Sequence, residues 1–149
     1  MTLRIRYPEL PPSSNHIYFN GNQLTKQARE YAERFSHFMV LNHGHELSDL
    51  NPEAVFVVVL HFHFETLVNE GWLKRDKSGE RRAKSRYKKM DLSNRVKLVE
   101  DCVRDAIDID DSHTLAIMME KHHSPGDSHI EITVQEVDPT MFGIPKEYL

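Results

Sequence analysis

The feature that most restricts the fold is a run of alternating side chains at residues 54–65, which is rich in β-branched and aromatic residues. With a period of two, one face of this strand carries Phe56, Val58, Leu60, Phe62 and Phe64. The opposite face begins with valines and becomes polar at His61, His63 and Glu65. One face is therefore apolar throughout, so we expect another layer of structure to cover it.

Two further segments have the periodicity of helices. Residues 26–42 follow Thr25, a typical N-cap residue, and their apolar stripe is expected to end near His43-Gly44, with a loop at 44–51. Residues 94–107 have a wide apolar face that includes Cys102, which we interpret as a core residue. The chain is therefore expected to contain two main amphipathic helices.

The remaining segments predict more strands and no repeats. Strands are expected at residues 2–7, 114–121 and 128–137, with the last two joined through 122–127. The order of elements predicts an α+β fold, in which two main helices pack on a small mixed β-sheet. At 149 residues the chain is expected to be one domain (1–149) with a short C-terminal tail at about 138–149.

Composition argues against several classes of protein. The single cysteine rules out an intrachain disulfide, and the first residues lack the apolar core of a signal peptide. The longest apolar run, at residues 54–60, is too short to span a bilayer, so no membrane association is expected. We therefore expect a cytoplasmic protein, encoded by a bacterium or a phage.

The net charge of −4 hides a strongly basic segment between two acidic regions. This segment has no regular period, so it is expected to form a loop, with a short hairpin around Lys77-Ser78-Gly79. The segment contains only two acidic residues. Its nine basic residues are Lys74, Arg75, Lys77, Arg81, Arg82, Lys84, Arg86, Lys88 and Lys89. Such a segment either binds a polyanion or is a solvated loop. Trp72 and Tyr87, beside it, either stack on exposed bases or anchor the loop by packing.

Carboxylates flank the second predicted helix. Asp91 precedes it, Lys97 and Asp101 share one of its stripes, and Asp110-Asp111 follow it. Hard oxygen ligands that hold Mg²⁺ can activate water and stabilise a phosphodiester transition state, and a lysine can balance the developing charge. These carboxylates are expected to gather into one pocket. In the alternative interpretation, Asp91 or Ser93 is only an N-cap and Asp110-Asp111 only a turn.

The spacing of these residues resembles the signature of RusA-type Holliday junction resolvases, the crossover junction endodeoxyribonucleases. That signature is Asp-Leu-Asp-Asn, a lysine three residues after the asparagine, an aspartate four residues further on and an Asp-Asp pair at the next strand. Here it corresponds to Asp91-Leu92-Ser93-Asn94, Lys97, Asp101 and Asp110-Asp111. The segment Pro11-Pro12-Ser13-Ser14-Asn15 is similar to the family's Pro-Pro-Ser-x-Asn. The resemblance covers about residues 3–137, apart from an expanded basic loop at about 66–90.

The resemblance implies a homodimeric endonuclease that resolves four-way junctions and related branched DNA by paired nicks, in recombination and repair, with Mg²⁺ or Mn²⁺. It implies that Asp91 and Asp111 bind metal with Asp110 as their acidic neighbour, and that Lys97 is catalytic. The nine basic residues of the loop are then expected to bind DNA phosphates. Ser93 replaces the family's second aspartate, so metal affinity is expected to fall unless Asp101, Asp110 or a water molecule takes that position.

Two alternatives remain open. Because Ser93 removes a carboxylate, the chain is alternatively a catalytically weak or inactive branched-DNA-binding protein of the same fold. A third hypothesis is a transition-metal site formed by His61, His63 and Glu65, which share one strand face. His122 and His123 are interpreted as surface residues of a loop.

Overall fold

A computed structural model describes residues 1–21 and 23–149, with no side chain described for Ser14. In this part of the chain the strands form one four-stranded and one two-stranded sheet. The elements, in chain order, are β1 (Thr2–Tyr7), β2 (Tyr18–Phe19), β3 (Gln23–Leu24), α1 (Lys26–Ser48), β4 (Val55–Phe64), α2 (Ser93–Ile107), β5 (Thr114–His123) and β6 (His129–Val137). The predicted α+β fold with a mixed sheet and two main helices is confirmed.

The large sheet has the strand order β1-β6-β4-β5. β4 pairs parallel with β5 and antiparallel with β6, and β1 pairs antiparallel with β6. β5 and β6 follow one another in the chain, yet β4 lies between them. The predicted end of β5 at residue 121 is wrong, because β4 continues to Phe64 and β5 keeps pairing with it as far as His123. β5 therefore forms one edge of the sheet.

Helix α1 begins as the sequence indicates. Thr25 is its N-cap and accepts a hydrogen bond at Oγ1 from the backbone N–H of Ala28 at 3.2 Å. The predicted end near His43-Gly44 and the loop at 44–51 are wrong, since the helix continues to Ser48. Leu47 and Leu50 pack against the core beyond that point. This apolar contact offsets the modest helix cost of Gly44.

The core lies between the helices and one face of the sheet. The apolar side chains of β1, β4 and β6 that point to this face are buried, as is the Ala28, Tyr31, Phe35 and Met39 stripe of α1. Tyr7 makes edge-to-face contacts with Tyr31, Phe35 and Phe38. Cys102 of α2 is buried as predicted, and this burial raises the pKa of its thiol to about 12. We call the opposite side of the sheet, which carries Val57, Val59, His61 and His63, the outer face.

The segment between β4 and α2 is an antiparallel ribbon without regular strands. Isolated bridges join Val68 to Tyr87 and Arg75 to Arg81, and the N–H of Lys88 donates to the carbonyl of Leu67 at 2.9 Å. We call residues 67–88 the basic ribbon. The predicted hairpin around Lys77-Ser78-Gly79 is present at its tip, where Gly79 has a φ of 86°. No helix within the described residues combines the length and the hydropathy that a membrane span requires.

Candidate metal centre and nucleic-acid interface

Asp91 stands at the start of α2 and holds it in a compact turn. Its Oδ1 accepts hydrogen bonds from the N–H of Ser93 at 3.0 Å and from Ser93 Oγ at 2.8 Å. These bonds, with the nearby charges of Lys121 and Lys89, hold the pKa of Asp91 below its usual range. Asp91 is therefore a carboxylate at neutral pH. The N-cap position of α2 is Leu92, with no side-chain cap, so neither Asp91 nor Ser93 is the N-cap of the alternative interpretation, and the Asp91 side chain is exposed.

A cleft of about 360 Å³ opens beside Asp91. Its walls come from the start of α2, the end of the basic segment and the N-terminal Pro-Pro-Ser-Ser-Asn motif: Ser13, Asn15, Lys89, Met90, Asp91 and Arg95. The strand β5 also reaches this cleft, because Lys121 Nζ donates a hydrogen bond to the carbonyl of Met90. Two sequence motifs that lie about 80 residues apart thus line one surface cleft.

Arg95 is a cleft residue that the sequence reasoning did not identify. Its guanidinium lies 5.4 Å from the centre of the Phe64 ring, and its buried Nε has no hydrogen-bond partner. Burial lowers the pKa of Arg95, while the charge of Asp91 opposes this shift. The signal available in the sequence was the i, i+4 spacing from Asp91, which places Arg95 one helical turn further on.

Lys97 and Asp101 lie along the middle of α2. Lys97 Nζ is 5.2 Å from the centre of the Tyr18 ring. Burial raises the pKa of Asp101, although the charges of Arg104 and Lys97 act in the opposite direction. Arg104 Nη2 pairs with Asp101 Oδ1 at 3.3 Å. Asp101 is therefore paired with a residue one turn further along the same helix.

Asp110 and Asp111 follow the end of α2, where Asp108 has a positive φ of 53° and caps the helix. Asp110 Oδ1 accepts a hydrogen bond from the N–H of Ser112 at 2.9 Å, and bonds from Ser112 keep the pKa of Asp110 low. Asp111 is exposed and lies 3.9 Å from Arg104 Nη1. A shallow cleft of about 470 Å³ is lined here by Arg104, Asp105, Asp108, Ile109, Asp110 and Asp111.

One chain does not bring Asp91 and Asp111 together. The 15 residues of α2 separate them, and a rise of 1.5 Å per residue makes that helix about 22 Å long. The two ends of β5 show the same separation, because Lys121 lies beside the Asp91 cleft and Thr114 directly follows the Asp111 turn. The expected single pocket does not form within one protomer, since a helix keeps its two ends apart.

All nine basic side chains of the loop are exposed. The basic ribbon leaves the sheet after β4 and returns at Lys88, so it is rooted at the Asp91 end of α2. Of the nine basic residues, Lys89 lines the Asp91 cleft, and none lines the acidic Asp111 cleft.

Trp72 anchors the basic ribbon by packing. The Arg81 guanidinium lies 4.1 Å from the centre of the Trp72 ring, and Arg81 Nη1 donates to the Trp72 carbonyl at 2.8 Å. Arg86 approaches the same ring at 5.8 Å. These contacts favour the packing interpretation of Trp72. Tyr87 is exposed and remains available for stacking on a base.

The predicted histidine site changes its membership. His61 and His63 share the outer face. Among the described residues, one group of close ligand atoms comes from His61, His63 and Glu131, and another from His61, Glu120 and His122. Glu65 belongs to neither group. Glu65 lies after the last residue of β4, beyond the pairing with β5 and β6. The sequence alone could not find the partners, because they depend on which strands neighbour β4.

A family model described as "Endodeoxyribonuclease RusA" matches residues 9–135 of the chain. This span includes the N-terminal motif, the basic ribbon, α2 and both aspartate turns. No curated protein matches the chain.

Proposed function

Because the chain belongs to the RusA endodeoxyribonuclease family, we propose that it is a magnesium-dependent structure-specific endonuclease that resolves Holliday junctions and related branched DNA by paired nicks. The observation that carries the proposal is the pair of exposed, ionised aspartate turns at the two ends of α2. The basic ribbon beside one of them supplies the positive surface that a nucleic acid requires.

The donor set suits a hard cation. Asp91, Asp110 and Asp111 offer exposed carboxylate oxygens, and oxygen ligands are those that Mg²⁺ and Mn²⁺ prefer. Hydrogen bonds from serine residues lower the pKa of Asp91 and Asp110, so both are ionised at neutral pH. When bound, the ion would polarise the scissile phosphate and lower the pKa of a water molecule. Asp91 and Asp111 would hold it.

We propose that a second copy of the chain completes each site. β5 is an edge strand of the sheet, and its central residues Met118 and Met119 are about half exposed. Antiparallel pairing of β5 with its copy across a two-fold axis near Met118 would place the Lys121 end of one chain beside the Thr114 end of the other. Asp91 of one chain would then face the Asp111 turn of its partner, twice in each dimer.

Electrostatics supports this arrangement. The Asp91 end of α2 carries Lys89, Arg95, Lys121 and the basic ribbon, whereas the other end carries Asp105, Asp108, Asp110 and Asp111. A two-fold axis perpendicular to α2 brings unlike ends together, and complementary potentials favour association. Two identical sites related by a two-fold axis also suit a junction whose opposed strands are cut symmetrically.

The remaining residues have separate tasks in this proposal. Lys97 lies one to two turns into α2 and would stabilise charge that develops on the phosphate. Arg95 and Lys89 would position the DNA backbone in the Asp91 cleft. The exposed lysines and arginines of the basic ribbon would contact phosphates without reading sequence.

We expect the protein to nick a synthetic four-way junction in Mg²⁺ or Mn²⁺ and to lose this activity in EDTA, because the carboxylates alone do not activate water. The measurement is gel separation of end-labelled strands, with a linear duplex of the same sequence as the control substrate. Cutting that continues in EDTA, or equal cutting of junction and duplex, would contradict the proposal.

The contact between Ser93 and Asp91 supports the alternative function, a catalytically weak junction-binding protein. Ser93 Oγ donates to Asp91 Oδ1, so one carboxylate oxygen is already satisfied where the family has a second aspartate. We expect Ser93→Asp to lower the Mg²⁺ concentration for half-maximal cutting by roughly 10-fold, since an added carboxylate strengthens binding of a hard cation. Nicking as a function of Mg²⁺ concentration measures this change.

The matched control is Ser93→Asn, which is polar at the same position but adds no charge, so we expect no gain in Mg²⁺ affinity. A wild-type protein that binds the junction but cuts it only after Ser93→Asp would establish the alternative. An unchanged Mg²⁺ requirement in Ser93→Asp would show that position 93 does not contact the ion.

A further inference from the structure

The outer face of the sheet carries a compact group of imidazoles and carboxylates that the nuclease proposal does not use. Strand register places Glu131, His61 and Glu120 side by side on β6, β4 and β5, and His129, His63 and His122 in the next row. We call these six residues the histidine grid. The insertion of β4 between β5 and β6 creates it, so His61 and His63 meet residues that lie about 60–70 positions later in the chain.

Two unsatisfied atoms indicate that the histidine grid is built to hold a ligand. Among the described residues, His63 Nε2 and His129 Nε2 are buried without a well-aligned hydrogen bond, although Glu131 carboxylate oxygens lie 3.3 and 3.6 Å from them. His129 is only 3% exposed, and its Nδ1 lies 3.2 Å from the carbonyl of Asp127. A buried polar atom without a partner is costly, so each such atom calls for an explanation.

The rings are arranged for neutral imidazoles. His63 stacks on His129 with 4.1 Å between ring centres and on His122 with 4.8 Å. Rings stacked this closely favour the uncharged form, because two imidazolium cations at this separation would repel each other. Neutral imidazole is the form that binds transition metals.

We propose that the histidine grid binds one divalent transition-metal ion of the Zn²⁺ type through His61, His63 and Glu131. Their ligand atoms lie within 4.8 Å of one another, and His63 Nε2 is 3.3 Å from Glu131 Oε2. In a tetrahedral site with bonds of about 2.0–2.1 Å the ligand atoms lie about 3.3 Å apart, so this pair already has the required spacing. The other Glu131 oxygen, Oε1, is 3.4 Å from Arg6 Nη1, which would orient the carboxylate.

A single ion is expected because the second possible triad, His61, Glu120 and His122, also uses His61. His61 lies between Glu131 and Glu120 in the register and belongs to both sets. We assign the ion to the His63 side because His63 Nε2 is buried and faces Glu131 Oε2 at 3.3 Å without forming a well-aligned hydrogen bond. His129 would support His63 by stacking rather than by binding the ion.

The test is titration of the purified full-length protein with Zn²⁺, and with Co²⁺ followed by visible absorption, in millimolar Mg²⁺. The Mg²⁺ occupies oxygen sites such as the aspartate turns but does not compete for imidazole nitrogens. We expect one equivalent of Zn²⁺ and a tetrahedral Co²⁺ spectrum. His61→Ala, His63→Ala and Glu131→Gln should each weaken binding by at least about 100-fold, the upper end of the loss for an outer-shell partner.

The matched control is His123→Ala, which removes a neighbouring β5 histidine in register with Phe64 and therefore on the opposite face. We expect it to bind Zn²⁺ as the wild type does. Far-UV circular dichroism of each metal-free variant verifies folding, and the isosteric Glu131→Gln tests the site if a histidine variant does not fold. Wild-type binding no tighter than that of His61→Ala would overturn the site. A loss with His122→Ala but not with His63→Ala or Glu131→Gln would overturn the assigned ligands.

Discussion

Asp91→Asn and Asp111→Asn are each expected to reduce junction nicking by roughly 10³-fold, which is about 4 kcal/mol of transition-state stabilisation. Asparagine keeps the size of the side chain but removes the negative charge that binds a hard cation. The measurement is the rate of strand nicking at saturating Mg²⁺, together with junction affinity, which should change little. Equal cutting by the wild type and Asp91→Asn would refute the nuclease proposal.

A mixed dimer, with Asp91→Asn in one chain and Asp111→Asn in the other, tests whether each active site takes carboxylates from both chains. If Asp91 of one chain works with Asp111 of its partner, a mixed dimer has one intact site and one that lacks both carboxylates. Random mixing by refolding the two variants together should therefore restore roughly a quarter of the wild-type nicking rate. If each site belongs to one chain, every site lacks a carboxylate, so mixing restores nothing. That result would refute the shared site while leaving the nuclease activity intact.

Asp138→Asn is the matched control for Asp91→Asn. Asp138 Oδ1 accepts hydrogen bonds from the N–H and Oγ1 of Thr140, at 2.9 and 2.7 Å, in the same kind of turn as Asp91 with Ser93. In both turns these bonds lower the pKa of the aspartate. If Asp91 were only a structural cap, the two variants would behave alike. We expect Asp138→Asn to cut at nearly the wild-type rate.

Replacing Lys77, Arg82 and Lys84 with alanine is expected to weaken binding to every form of DNA and to flatten its salt dependence. These side chains are exposed on the basic ribbon, whereas Arg81 is left in place because it packs on Trp72. If each of the three side chains contacts one duplex phosphate, the slope of log K for DNA binding against log salt becomes less negative by about 2.7. If the variant and the wild type bind DNA equally at 1 M salt, this difference in slope corresponds to roughly a 100-fold loss of affinity at about 0.1–0.2 M salt. Fluorescence anisotropy over a series of salt concentrations measures both quantities.

The control for the ribbon variant is the triple replacement of Lys26, Arg29 and Lys146 with alanine. It removes the same charge from exposed positions outside the basic ribbon, so we expect a much smaller change in slope. If the ribbon variant lost affinity only for four-way junctions, the basic ribbon would not contact phosphates independently of DNA sequence and shape, as proposed. A slope that stays unchanged would show that the ribbon does not contact phosphates.

Local side-chain patterns were sufficient to predict most elements. The alternation at residues 54–65 predicted β4, and the apolar stripe of α2 predicted a helix that begins and ends within one residue of its observed bounds. The end of α1 was not predictable, because a glycine signal at residue 44 competed with apolar contacts of Leu47 and Leu50 that only packing supplies. Local periodicity thus predicts which elements form, but packing decides where some of them end.

The sequence by itself determined the aspartate, serine and lysine spacing of α2, the basic segment and the family to which the chain belongs. Only the tertiary structure decided that Asp91 and Asp111 stand at opposite ends of α2. It also decided that His61 lies between Glu131 and Glu120, and His63 between His129 and His122. The physical reason is that a motif is a local pattern along the chain. Strand order depends on hydrogen-bond pairing between segments far apart in sequence, which no short pattern encodes.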